Sequence, residues 1–77
     1  MKNKIRLEYG KRYLCKGWVD MAERLFEGRV ENFAVQVRFV DDGNDLYRFT
    51  QLQIDGVLKR WFEIKDVKVI ECLDVDI

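Results

Sequence analysis

The sequence has no histidine and no proline, only two cysteines, and no apolar run near the length of a membrane span. Each absence removes a class of function. Without histidine the chain lacks the one side chain that ordinarily titrates near neutral pH, the commonest general base and metal ligand. No GxSxG, P-loop or GxGxxG pattern is present, so nucleophile-elbow and phosphate-cradling chemistry have no motif to rest on. Cys15 and Cys72 are too few and too far apart for a CxxC redox or zinc motif. Two reduced thiols fit them better than a disulfide, because free cysteine packs as a small hydrophobe. The opening MKNKIRLEYG is charged but lacks the apolar segment of a signal peptide, and a spanning helix needs about 20 apolar residues. The expectation is a cytoplasmic protein with no membrane, cofactor or metal.

Charge of one sign is also missing: 14 basic residues balance 14 acidic ones. Neutrality argues against a generic nucleic-acid coat and against an acidic DNA mimic. The distribution is uneven. Lys2, Lys4, Arg6, Lys11, Arg12 and Lys16 crowd the start, while Asp66, Glu71, Asp74 and Asp76 crowd the end. Such ends attract each other, within one fold or head to tail between copies.

What is present is a short chain rich in rings. Seventy-seven residues are read as one domain, 1–77, that buries only about 60% of the surface its unfolded chain exposes. Its ten aromatic side chains (five Phe, three Tyr, two Trp) enlarge the buried area, since each carries roughly 150–250 Å². The apolar period is mostly two, the signature of half-buried strands. Ile5, Leu7 and Tyr9 alternate with charge; Tyr13 and Cys15 continue the pattern; Phe26, Gly28 and Val30 make a second run. Val35, Val37 and Phe39 lead into DDGND at 41–45, a strong hairpin signal, and Tyr47 and Phe49 return. Ile54-Asp55-Gly56 marks another turn, Phe62 and Ile64 follow, Lys65-Asp66 reads as a short turn, and a last strand begins at Val67. The inward set is then Val35, Val37, Phe39, Tyr47, Phe49, Phe62 and Ile64. In DMAERLFEG (20–28), Asp20 with Glu23 has the spacing of a helix capping box. A short helical turn near 20–27 therefore competes with a loop at 18–23 feeding a strand from 24.

The predicted class is all-β, five or six short antiparallel strands in a small barrel. The pattern LFEGRV…VQVRFVDDG…YRFT…WFEIKDVKVIE, roughly 25–71, resembles the SH3-like barrel shared by SH3, Tudor and Sm-type domains. The likeness is one of strand order, not of motif, and fold alone does not assign function.

Candidate chemistry is sparse. Cys15 sits among Lys11, Arg12 and Lys16, which would favour a thiolate; the plainer reading is a core thiol on the face of Tyr13. Asp41, Asp42 and Asp45 lack the spacing and closing glutamate of a calcium loop and fit a hairpin tip. No catalytic residues are assigned, and the expectation is a protein that is not an enzyme. What remains is a surface of aromatics and arginines, types enriched at binding hot spots. In KRWFEI (59–64), neighbouring strand side chains point to opposite faces, so Phe62 goes in and Trp61 goes out beside Arg60. Arg48 and Arg38 lie on the outer face of neighbouring strands. Trp18, in the first connection, is the second exposed ring. The competing reading lays Trp61 over the barrel rim and uses Trp18 as a plug.

Three functions fit. The first is a non-enzymatic module that binds a larger, host-derived protein, acting as a monomer or weak homodimer. By analogy of size and character, phage and mobile-element products that inhibit host defence enzymes belong to this kind. The second is nucleic-acid binding through the basic first strand with stacking aromatics. The third is a nucleotide or small-ligand binder that pairs rings with arginine.

Overall fold

The computed structural model describes residues 5–31, 35–41 and 44–75, with side chains at 5–31 and 45–75. Its regular structure is all β: β1 (Arg12–Val19), β2 (Ala22–Val30), β3 (Val35–Asp41), β4 (Asn44–Phe49), β5 (Gln51–Ile54), β6 (Val57–Arg60) and β7 (Ile64–Cys72). One sheet holds them in the order β3-β4-β7-β1-β2-β5-β6, every pairing antiparallel. Among the described residues seven strands replace the five or six expected, because the run after Gly56 is a strand of its own. Among the described residues no helix is long and apolar enough to cross a membrane.

The DMAERLFEG segment is neither helix nor loop. β1 runs on to Val19 and β2 begins at Ala22, so only Asp20 and Met21 turn the chain. Tertiary pairing along eight residues of β1 overrides the capping-box pattern, which carries weight only where a helix can bury a face. Residues 5–8, by contrast, form no strand. They are pinned by Tyr13, whose buried hydroxyl accepts from the Glu8 N–H at 2.8 Å and donates to the Arg6 carbonyl at 3.2 Å.

The buried set is Tyr13, Cys15 and Val19 of β1, Phe26 and Val30 of β2, Tyr47 and Phe49 of β4, Leu52 and Ile54 of β5, and Ile64, Val67 and Val69 of β7. The expected core residues Tyr47, Phe49 and Ile64 are in it; Phe62 is not, at 60% exposed. Val35, Val37 and Phe39 lie outside the described side chains, as do the hairpin-tip residues Asp42 and Gly43, although β3 and β4 pair on either side of that tip.

Two corners bend the sheet so that its strands face one core. β4 and β5 are a single run of chain, 44–54, interrupted only at Thr50. The inward residues shift there from 47 and 49 to 52 and 54, so the chain turns a corner while still facing the same core. β4 pairs with β7, β7 with β1, β1 with β2 and β2 with β5, so this path through the sheet starts and ends on that one run. No pairing joins β3 to β6 among the described residues, and hydrogen bonds therefore do not close the sheet.

The second corner is in β7. Its register against β1 shifts between Lys16 and Trp18, and Asp66, at φ 45°, is the extra residue on the β7 side. A bulge bends and twists the strand that carries it, which is why Ile64 and Val67, three apart, both face inward. The expected Lys65-Asp66 turn is this bulge. It brings the β7 backbone against Gly17, where an added Cβ would stand 3.1 Å from the Val67 Cα and 3.3 Å from the Asp66 carbonyl oxygen. A side chain at Gly17 would thus meet the β7 backbone, which must give by a few tenths of an ångström to admit even a methyl group.

Gly17→Ala tests the close approach. Gly17 has no positive φ, and in an unobstructed strand alanine is favoured over glycine by roughly 0.5–1 kcal/mol. Here the clash is with backbone, so a loss of about 1–3 kcal/mol is expected, read as a lower urea midpoint. A midpoint at or above wild type would mean the two strands are not in contact at this point.

Candidate functional site: an exposed aromatic end

The residues of KRWFEI do not continue a strand. β6 ends at Arg60 and 61–63 form a tight turn. Three hydrogen bonds set it: the Glu63 N–H donates to the Arg60 carbonyl at 2.8 Å, the Arg60 N–H donates to Glu63 Oε2 at 2.8 Å, and the Trp61 N–H donates to the Thr50 carbonyl at 3.0 Å. Alternation stops where the strand stops, so both rings project outward. Trp61 is 62% exposed, and the rings meet edge to face with centroids 6.1 Å apart. The outward Trp61 matches the sequence reading; the inward Phe62 does not.

The β1–β2 hairpin is fastened beside them, since the Asp20 N–H donates to the Glu63 carbonyl at 3.0 Å. Trp18, on the outer face of β1 instead of in a connection, is half exposed. Trp18, Asp20, Met21, Phe62, Glu63 and Lys65 line an open groove of about 530 Å³. Met21 was missed by sequence reasoning, and it is the most exposed large apolar residue described, at 94%. A contiguous apolar surface of Trp18, Met21, Phe62 and Trp61 results.

Met21 carries a second signal. Both turn residues have positive φ, 52° at Asp20 and 67° at Met21, the requirement of the type I′ hairpin turns that favour Asp-Gly. The same chain meets that requirement with Asp55-Gly56, at φ 49° and 85°, between β5 and β6. At 20–21 it places methionine where glycine is preferred. Of the four described non-glycine residues at positive φ, three are aspartate, a residue that tolerates this region; Met21 is the exception. Left-handed backbone costs an ordinary residue roughly 1–2 kcal/mol, and such strain clusters at functional sites.

The ionic groups at this end are sorted. The Lys59 ammonium, largely covered, sits 2.9 Å from Asp20 Oδ2 and 4.0 Å from Glu63 Oε1. Arg60 and Lys65 are exposed, and their side chains have no partner among the described residues. Arg48 is exposed on β4, which does not pair with β6; only the Trp61–Thr50 bond brings the turn near the end of β4. Arg38 is on β3, beside β4 as expected, and its side chain lies outside the described residues.

The basic first strand is different. The Arg12 Nε and Nη2 donate to Asp74 Oδ1 at 3.0 and 2.7 Å, the Arg12 N–H donates to Asp74 Oδ2 at 2.7 Å, and Nη1 reaches Glu27 at 3.2 Å. Lys11 pairs with Glu8 and Lys16 with Glu23. The basic start and acidic end attract each other within the fold. Cys15 and Cys72 are free thiols, and burial pushes the Cys15 thiol up to about 12, which leaves it protonated and inert at neutral pH. Among the described residues no group of three or more acidic or cysteine side chains is placed to hold a metal.

Compared with known protein families, curated proteins and solved structures, the chain matches none.

Two outcomes are expected. Met21→Gly relieves the turn and should raise stability by about 1 kcal/mol, or roughly 4–8 °C in Tm for a domain of this size; an unchanged or lower Tm would remove the strain argument. The second concerns acid. The hydrogen bonds from Arg12 hold the Asp74 carboxyl below its usual value, so its contribution is complete above the unfolded value, about 3.9, and fades as pH falls through the lower folded value. Urea midpoints between about pH 7 and 2 should therefore fall less steeply in Asp74→Asn than in wild type; parallel slopes would show that the clip does not act.

Proposed function

We propose that this protein is a non-enzymatic protein-interaction module built on an SH3-like barrel, and that the Trp18–Met21–Phe62–Trp61 end is its contact surface. One observation carries the reading: four large apolar side chains stand exposed and contiguous, one of them on strained backbone. Contiguous exposed apolar surface on a small protein marks an interaction site more often than an accident of folding. Aromatic residues beside arginine have the composition of binding hot spots. Neutral overall charge suits a protein partner, and a small rigid end of this shape suits capping a larger enzyme.

The barrel reading has its own support. Leaving out the β3–β4 hairpin, the order β7-β1-β2-β5-β6 is that of a five-stranded SH3-like meander in which the last strand returns beside the first. The corner at Thr50, which keeps β4 and β5 facing the same core, favours this reading.

Nucleic-acid binding through the first strand has less to stand on, because Lys11, Arg12 and Lys16 are matched by Glu8, Asp74, Glu27 and Glu23. A small ligand would meet a groove open on one side, whereas ligand pockets usually bury most of their occupant.

The test is a protein captured from the source cells by wild type, then purified and titrated. Trp61→Ala and Phe62→Ala should each leave Tm nearly unchanged and weaken binding by about 2 kcal/mol or more. A captured protein that binds both variants as tightly as wild type would sink the assignment.

A further inference from the structure

The charges around the aromatic end are not neutral once those already engaged are set aside. Asp20 contacts the Lys59 ammonium with both carboxylate oxygens, at 3.1 and 2.9 Å. Glu63 is engaged twice, by Lys59 at 4.0 Å and by the Arg60 N–H at 2.8 Å. Both acids lining the groove are therefore committed to the fold. The cations are not. Lys65 lines the groove and stands opposite Trp18 in the β1–β7 ladder. Arg60 precedes Trp61, and its backbone, not its side chain, is held by Glu63. Neither side chain has a partner among the described residues. Counting Lys59, Arg60 and Lys65 against Asp20 and Glu63, this end carries one net positive charge, with both acids held in contacts of the fold and Lys65 lining the groove.

We infer that the Trp18–Met21–Phe62 groove receives an apolar side chain of a partner protein whose flanking residues are acidic, met by Arg60 and Lys65. The inference rests on the protein-binding reading above and adds the partner's chemistry. An apolar anchor fills the groove between Met21 and Phe62 and excludes water from the rings, while carboxylates on either side lie within reach of the two cations. Opposite potentials steer encounter and fix register. A basic partner would instead place like charges together at Arg60 and Lys65, and the carboxylates of Asp20 and Glu63 are not free to compensate. Methionine at the tip suits such a surface, since its unbranched, polarisable side chain adapts to the shape of an incoming group.

The probe is a library of random twelve-residue peptides displayed against immobilised protein, with the Trp61→Ala/Phe62→Ala double variant as counter-selection. Peptides retained by wild type and lost on the double variant should carry a central apolar or aromatic residue flanked by Asp or Glu. A representative acidic peptide, measured by fluorescence anisotropy, should bind Arg60→Gln/Lys65→Gln about tenfold more weakly and should weaken as salt rises. Enriched peptides that are neutral or basic, yet still need the two rings, would overturn the acidic preference and leave the interaction surface standing. No enrichment over the double variant would overturn both. Two control arms cover other occupants. A twelve-nucleotide deoxythymidine strand that competes with the peptides would transfer the surface to nucleic acid. Self-association in sedimentation equilibrium, lost in the double variant, would make a second copy of this chain the occupant. Either result would replace the acidic partner.

Discussion

The Thr50 carbonyl, accepting from the Trp61 N–H, is the contact on which the exposed end depends. Thr50 is the corner where one run of chain leaves β4 and becomes β5. That corner exists because the residues before and after it must all face one core. Its carbonyl continues the β5–β6 register one step beyond Gln51 and Arg60, and so carries the pairing into the 61–63 turn. The turn then closes on itself through Arg60 and Glu63, and the Glu63 carbonyl receives the Asp20 N–H from the β1–β2 hairpin. A constraint imposed by core packing thus propagates through backbone hydrogen bonds to Phe62 and Met21, which have no place in the core.

This relay explains why the end was half legible in the sequence. Period two correctly turned Tyr47 and Phe49 inward, because both follow from the alternation within β4; Trp61 and Ile64 reached their expected sides although the strand carrying that alternation ends at Arg60. Period two failed at Phe62 because the turn contains neither glycine nor proline. Its signals are a glutamate reaching back three residues and a carbonyl eleven residues upstream, and only the second of these needs the tertiary structure. The Asp55-Gly56 turn was legible for the opposite reason: its chemistry is written in the dipeptide. Asp20-Met21 has the same geometry with half the signal, and a capping-box spacing that pointed elsewhere. The bulge at Asp66 was read as a turn because a positive-φ aspartate fits both; what distinguishes them is Gly17 on the neighbouring strand, whose missing Cβ admits the bulge.

The charged residues divide along similar lines. The unequal ends of the chain suggested mutual attraction, and Arg12 with Asp74 realises it. The sequence could not say which cations would be left over. That depends on Asp20 and Glu63 converging on Lys59 from two turns that are 43 residues apart in the chain. Two of the cations without a partner among the described residues, Arg60 and Lys65, belong to the turn and the strand at the aromatic end. Formal neutrality of the whole chain therefore hides a small positive excess at an exposed apolar surface.

The sheet edges narrow how that surface can be used. An unpaired edge invites an extended strand from another chain unless it is shortened, bulged or charged. β6 is four residues long and ends in Lys59-Arg60. Both backbone groups of Arg60 are occupied by Glu63, so a strand arriving at this edge finds no ladder to extend past Leu58. At the other edge, the register of β3 against β4 shifts between Val37 and Val40, a break that interrupts flat pairing. Strand addition is thus discouraged at both ends of the sheet by residues that serve the fold. Glu63 is common to the two effects: it closes the β6 edge and, through the turn, holds Phe62 in solvent. The geometry withdraws main-chain recognition from the same end at which it presents side chains. The contact it favours is an anchor in a groove, with specificity set by the charges beside it.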